Sequence, residues 1–156
     1  MTDDWQKGVP LLLHQCHSGF LASMGEHGPE VSMAPFVVYQ GNIVLHLSTL
    51  ARHTKNITGN SAVGFMVCTP ENLDSSPLSL PRLSIQGNII AISDTESEIV
   101  KQAYLKHSPD AEQLFSFDDF RIFCIVPSHV QWIGGFGAAR KITVSSWNNI
   151  STYASA

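Results

Sequence analysis

Apolar and polar residues alternate along most of this chain, and turn-forming residues interrupt the alternation at short intervals. "FLASM" and "EVSMAPFVVY" read as two strands joined through "GEHGP", a hairpin signal, and "QGN" turns the chain into another strand, "IVLHLS". The period changes at "STLARHTKNITGN", where Ser48 is placed to cap a helix, Leu50 and Ile57 fall two turns apart on one face, and Gly59 closes it. Strand periodicity resumes in "SAVGFMVC", and a long loop, "TPENLDSSPLSLP", then carries three of the eight prolines. "RLSIQGNIIAIS" predicts a strand with a bulge or close approach at Gly87. "DTESEIVKQAYLKHSPDAEQLF" has acidic residues in its first turn and lysines later, which predicts a helix divided by Pro109. "FDDFRIFCIVPSHVQWIGGFGAARKITV" returns to strands. Upstream, "VPLLLHQCHSG" places Pro10 in a first helical turn and Gly19 at a stop, predicting a short helix within residues 1–17.

Six or seven strands joined mostly by short turns, with two or three inserted helices, predict a mainly β protein: a small antiparallel barrel with helices at its rims. At 156 residues the whole chain, 1–156, is expected to form a single domain, with 143–156 as a flexible tail. Composition narrows the function. Only 14% of residues are charged and the net charge is -4, so the overall field offers nothing to nucleic acid, and any basic cluster must serve something local. Cys16, Cys68 and Cys124 are odd in number and far apart, which predicts reduced core thiols rather than a disulfide framework. The acidic start, "MTDDWQKGVPLLLHQ", lacks the basic residues and long apolar run of a signal peptide, and no stretch is apolar for long enough to span a membrane; the expected location is the cytoplasm.

Three stretches carry candidate chemistry. In "HLSTLARHTK", Ser48 and Thr49 open a helix whose free N–H groups favour a phosphate, and Arg52 and Lys55, with His53 between them, could add charge-assisted hydrogen bonds. The same spacing also fits a capped, solvent-facing helix. "GGFGAARK" at 134–141 combines glycines that allow close backbone approach with two cations, or is a plain glycine-rich turn. Arg82 stands at the start of a strand and could equally be a surface residue. His14, Cys16 and His17 lie close together, but a metal site needs three or four converging ligands and the chain has no CxxC or HExxH pattern, so no metal is expected.

Taken in order, "GFLASMGEHGPEVSMAPFVVYQGNIVLHLSTLARHTKNITGNSAVGFMV", "PLSLPRLSIQG", "YLKHSPDAE" and "FDDFRIFCIVPSHVQWIGGFGAARKI" resemble the pyridoxine 5′-phosphate oxidase-like, FMN-binding split-barrel family, and its HugZ-type haem-utilisation branch most closely. The resemblance runs from Gly19 to Ile142. It implies a six-stranded antiparallel split β-barrel that forms a homodimer, with two FMN sites in the clefts between subunits. The implied function is that of a flavin-dependent oxidoreductase of unassigned substrate; the alternative is a haem-binding protein using the same cleft. By resemblance, Ala34, Pro35 and Phe36 lie along the flavin ring, and Ser48, Arg52, His53 and Lys55 surround the FMN phosphate. Arg82 takes a position where the family often has a glutamine against the ring. Trp132 and Arg140 match positions that the partner subunit brings to the cleft.

The chain also departs from the family. Pyridoxine phosphate oxidases carry an arginine and a lysine around the first flavin strand and a late R-x-H pair, whereas here the strand reads "SMAPFV" and no histidine follows His129. That argues against vitamin B6 oxidation. Haem-degrading relatives take an axial histidine from a C-terminal extension, and "SSWNNISTYASA" has none, so a haem reading needs another histidine such as His46 or His129.

Overall fold

The computed structural model describes residues 4–137 and 139–155, with side chains through Ile150. Helix α1 (Trp5–Gln15) leads into the hairpin β1 (Ser18–Gly25) and β2 (Gly28–Pro35), followed by β3 (Val37–Tyr39) and β4 (Asn42–Ser48). Then come α2 (Arg52–Gly59), β5 (Ala62–Cys68), β6 (Arg82–Ala91), α3 (Asp94–His107), β7 (Phe120–Ile133), β8 (Ala139–Ile142) and α4 (Val144–Ser155). Short 3₁₀ segments cover Pro77–Ser79 and Pro109–Ser116.

All strands belong to one antiparallel sheet of eight, in the order β2-β1-β5-β6-β7-β4-β3, with β8 added to β7. The expected barrel of six strands is thus an open, split sheet with two more. The count rises because Phe36 breaks the register between β2 and β3, where its N–H donates to His17 O, and because β8 folds back on the end of β7. The "QGN" turn forms as predicted, with Gln40 and Gly41 at φ 51° and 79°, the paired positive values of a tight hairpin.

Alternation decides the core. β1, β5 and β6 send Leu21, Val63, Phe65, Val67, Leu83 and Ile85 inward to a cluster closed by α1 and α4. β4 and the first half of β7 read as continuous apolar runs because both of their faces are covered: one by that core, the other by α3, through Val44, Ile122, Cys124, Val100 and Tyr104.

Three expectations are corrected at the ends of elements. Pro10 sits inside α1, not in its first turn, because the helix starts at Trp5. Gly19 belongs to β1, with Cys16 as the C-cap of α1. The segment expected as a flexible tail is α4, where Trp147 is fully buried and its Nε1 donates to Gly41 O at 2.7 Å, tying the helix to the β3–β4 turn. Trp147→Ala should therefore cost about 3–5 kcal/mol in denaturant unfolding, as expected for loss of a large buried aromatic; a change under about 1 kcal/mol would mean α4 contributes little.

Candidate functional site

The predicted phosphate site is rearranged by two carboxylates. Ser48 does not cap α2: the helix begins at Arg52 with Ala51 as its N-cap and no side-chain cap bond. Instead the Ser48 hydroxyl donates to Asp119 Oδ2 at 3.0 Å and accepts from the Leu50 N–H, so its single proton is already placed. Arg52 turns toward β2, where its Nε meets Glu30 Oε1 at 2.7 Å, and Asn56 Nδ2 holds the other oxygen of that carboxylate at 2.7 Å. His53 is half-buried, its Nε2 has no hydrogen-bond partner, and burial lowers its pKa.

Lys55 faces the other way. Together with Thr49, Thr58 and Arg121 it rims a groove of about 570 Å³ at the barrel end, floored by Ile57, Ile89 and Phe123. Neither cation has an ion-pair partner among the described residues. The helical period explains the split: Lys55 and Thr58 lie three apart on one face, while Arg52 and Asn56 turn toward β2. Arg121 escaped the sequence reading because its place depends on β7 pairing with β4, where it lies opposite Leu47.

The remaining predicted residues are spread over the molecule. Ala34 and Phe36 point into the core, each 1% exposed, and Pro35 faces out. Trp132 is a core residue, 3% exposed, because its position on β7 shares the inward face with Val130; this corrects its expected place in a cleft. Arg140, opposite it on β8, lies with its guanidinium 5.8 Å over the Trp5 ring. Arg82 donates to Leu80 O at 2.9 Å, holding the start of β6. No His/Cys/Asp/Glu group that could hold a metal occurs among the described residues, and Cys16, Cys68 and Cys124 are free thiols.

His46 faces α3 and not a cleft. Its ring stacks on Phe115 at 3.9 Å with 10° between planes, and burial first, then Lys101, lowers its pKa to about 4. His107, stacked on His17, shifts in the same direction. An unfolded histidine takes a proton near pH 6.5 while folded His46 stays neutral to about 4, so the unfolded state binds more protons in that window and stability falls as pH drops through it. Urea unfolding at pH 7, 5.5 and 4.5 should show this loss, with a His46 contribution of up to about 1.4 kcal/mol per pH unit. His46→Phe should flatten it; an unchanged slope would place the acid sensitivity elsewhere.

The outer face of the sheet carries a second constellation. Cross-strand pairing lines up Val31, Ala22, Gly64, Gln86 and His129 in one row, and Met33, Phe20, Met66, Ser84, Gln131 and Lys141 in the next. One end of this face is apolar and exposed, with Val31 at 71%, Met33 at 60% and Phe20 at 51%, more than isolated surface residues account for. The other end is polar and holds two adjoining grooves of about 470 and 520 Å³ that share Gln86, Ser128 and His129.

His129 reaches this face through a bulge. Gly87 pairs with Pro127 and Gln86 with His129, which leaves Ser128 as the extra residue. Ser128 and His129 are both exposed in succession, whereas uninterrupted alternation would bury His129 beside Pro127. Gly87 permits it: a Cβ there would lie 2.2 Å from Val126 O. The bulge was legible in the sequence as a glycine within a strand; the exposure of His129 that follows from it was not.

An open antiparallel split barrel, with a cation-rimmed groove at its end and an apolar, histidine-bearing outer face, defines the class: a split-barrel protein. Over residues 11–149 the chain matches the family described as CREG, beta-barrel, and it belongs to that family. It is 27% identical over 128 residues to the haem oxygenase HutZ of Vibrio cholerae, covering 79% of this chain and 72% of HutZ. It is 30% identical over 113 residues to HOZ, a chloroplastic non-canonical haem oxygenase of Arabidopsis thaliana, covering 71% of this chain and 33% of HOZ. Among solved structures, a haem-binding protein from Mycobacterium smegmatis superposes with a TM-score of 0.83 at 21% identity, covering 96% of this chain and 62% of that one. The chain therefore spans less than two thirds of the mycobacterial protein and a third of HOZ. The split-barrel resemblance and its haem-utilisation branch hold.

Proposed function

We propose that this protein binds haem, as a homodimer, in the cleft beside the outer face of β1, β5, β6 and β7. The observation that carries the reading is the two-ended character of that face. Its apolar end, around Phe20, Val31 and Met33, is the kind of surface a second copy covers, and its polar end keeps grooves within the size range of cofactor sites. The names of HutZ, HOZ and the mycobacterial protein point in the same direction. The residues present fit the group: small side chains at Ala22 and Gly64 leave room for a planar ring, and Lys141 provides a cation for its carboxylates. When bound, haem supplies a redox-active iron; the chain binds the ring, orients it and shields one face from water.

Titrating the purified protein with haem should give an intense Soret band saturating at one haem per protomer, on a particle of twice 17.1 kDa. Phe20→Asp should give a folded monomer by solution mass and circular dichroism. No Soret band, or a dimer unaffected by Phe20→Asp, would contradict the respective half of the proposal.

A second reading, FMN binding, is favoured by the groove under α2, where Lys55, Arg121 and two threonines could take a phosphate above an apolar floor. On that reading the protein as purified carries two visible flavin bands, and Lys55→Ala with Arg121→Ala weakens FMN binding at least tenfold, as loss of two charge-assisted contacts implies. Retention of FMN affinity within twofold removes it.

A further inference from the structure

We infer that the groove between α2 and the ends of β6 and β7 is a second ligand site, for a small amphipathic carboxylate whose head lies on Arg121 and Lys55 and whose apolar body lies on Ile89, Ala91 and Phe123. The groove shares no lining residue with the two on the outer face. It is independent of the haem reading, which leaves it without an occupant, and it competes with the FMN reading of the same groove.

Strand register builds the site. Phe123 of β7 pairs with Ala91 of β6, and Ile125 pairs with Ile89. Ile89, Phe123 and Ile125 belong to the core, and Arg121, two residues before Phe123, falls on the same face of β7. The inner face of the sheet thus runs from hydrocarbon into a cation at its end. Lys55 reaches the groove from α2, and Ile57 of that helix closes the floor from the other side. The mouth of a barrel is a place where such folds take small molecules, and about 570 Å³ is within the size range of their sites.

Charge selects the ligand. The chain has 13 acidic and 9 basic residues, yet the described residues lining this groove include two cations and no carboxylate. Asp119, at the start of β7, is turned to the Ser48 hydroxyl at 3.0 Å and does not line the groove, and Glu30 is taken up by Arg52. A guanidinium can grip a carboxylate through two parallel hydrogen bonds, to which Lys55 adds a point charge and Thr49 a hydroxyl.

The floor selects the rest of the molecule. Ile89, Ala91 and Phe123 have no side-chain hydrogen bond to give, so a body lying on them must be apolar. A flavin there would set the polar edge of its ring against hydrocarbon with its hydrogen bonds unmet, whereas a short acyl chain or an aryl ring loses nothing. One anionic head on one apolar body is the chemistry that matches both parts.

Calorimetric titration of the protein with sodium octanoate, sodium acetate and octan-1-ol tests this. Octanoate should bind at one site per chain, and acetate, a head without a body, and octanol, a body without a head, should each bind at least tenfold more weakly. Lys55→Ala with Arg121→Ala should weaken octanoate at least tenfold, as loss of two charge-assisted contacts implies. Ala91→Phe, which fills the floor and keeps both cations, should weaken it as much. Circular dichroism establishes that the variants are folded, and their haem titrations should match the wild type. The assignment is overturned if octanoate does not bind at millimolar concentration, if the variants hold it within twofold of the wild type, or if octanol binds as tightly. It is also overturned if FMN displaces octanoate and binds more tightly, or if haem binding falls in the double variant, since the two sites are then one. A wild type that binds octanoate as expected but no haem overturns the haem reading and leaves this site standing.

Discussion

The pairing of β6 with β7 across Gly87 is the constraint from which the outer face of the sheet takes its arrangement. A side chain at Gly87 would collide with the Val126 carbonyl, so the close approach of these strands needs glycine at that position. With it, β7 takes in one extra residue, the alternation shifts by one, and His129 moves from the face that holds Ile125 and Pro127 to the outside. Beyond the shift the inward face resumes with Val130 and Trp132, which explains how one strand can fill the core at both ends and still present a histidine midway.

Electrostatics at the opposite end of the barrel follow from two carboxylates distant in sequence from the residues they bind. Asp119 takes the Ser48 hydroxyl, and Glu30 takes Arg52 and Asn56. These contacts fasten α2 to β2 and the end of β4 to the segment before β7, and Glu30 neutralises part of the basic bias that "STLARHTK" shows in isolation. What is left for an anion is the groove side of the helix, where Lys55 meets Arg121. A strand-to-helix turn rich in Ser, Arg and Lys is therefore divided between holding the fold and offering charge.

Local features were legible in the sequence and nonlocal ones were not. The β1–β2 hairpin, the tight turn at Gln40–Gly41, the division of α3 from the following 3₁₀ segment at Pro109 and the irregularity at Gly87 each depend on a few adjacent residues. The burial of β4 on both faces, and with it the placing of His46 against Phe115, depends on α3 packing over the sheet. Resemblance alone puts Trp132 in a cleft, yet its position on the inward face of β7 places it in the core. Helix α4 had a local signal, Trp147 and Ile150 three apart, but what makes it a structural element is the bond from Trp147 to Gly41, 106 residues away.

The exposed apolar side chains, the row of small residues and His129 thus share one surface, arranged by strand register and, at His129, by a single bulge. Anomalous diffraction at the iron edge from crystals of the haem-loaded protein tests this account most directly. The expected result is an iron peak on the outer face of β1, β5, β6 and β7, between two copies of the chain; an iron peak under α2 beside Lys55 and Arg121 would contradict it.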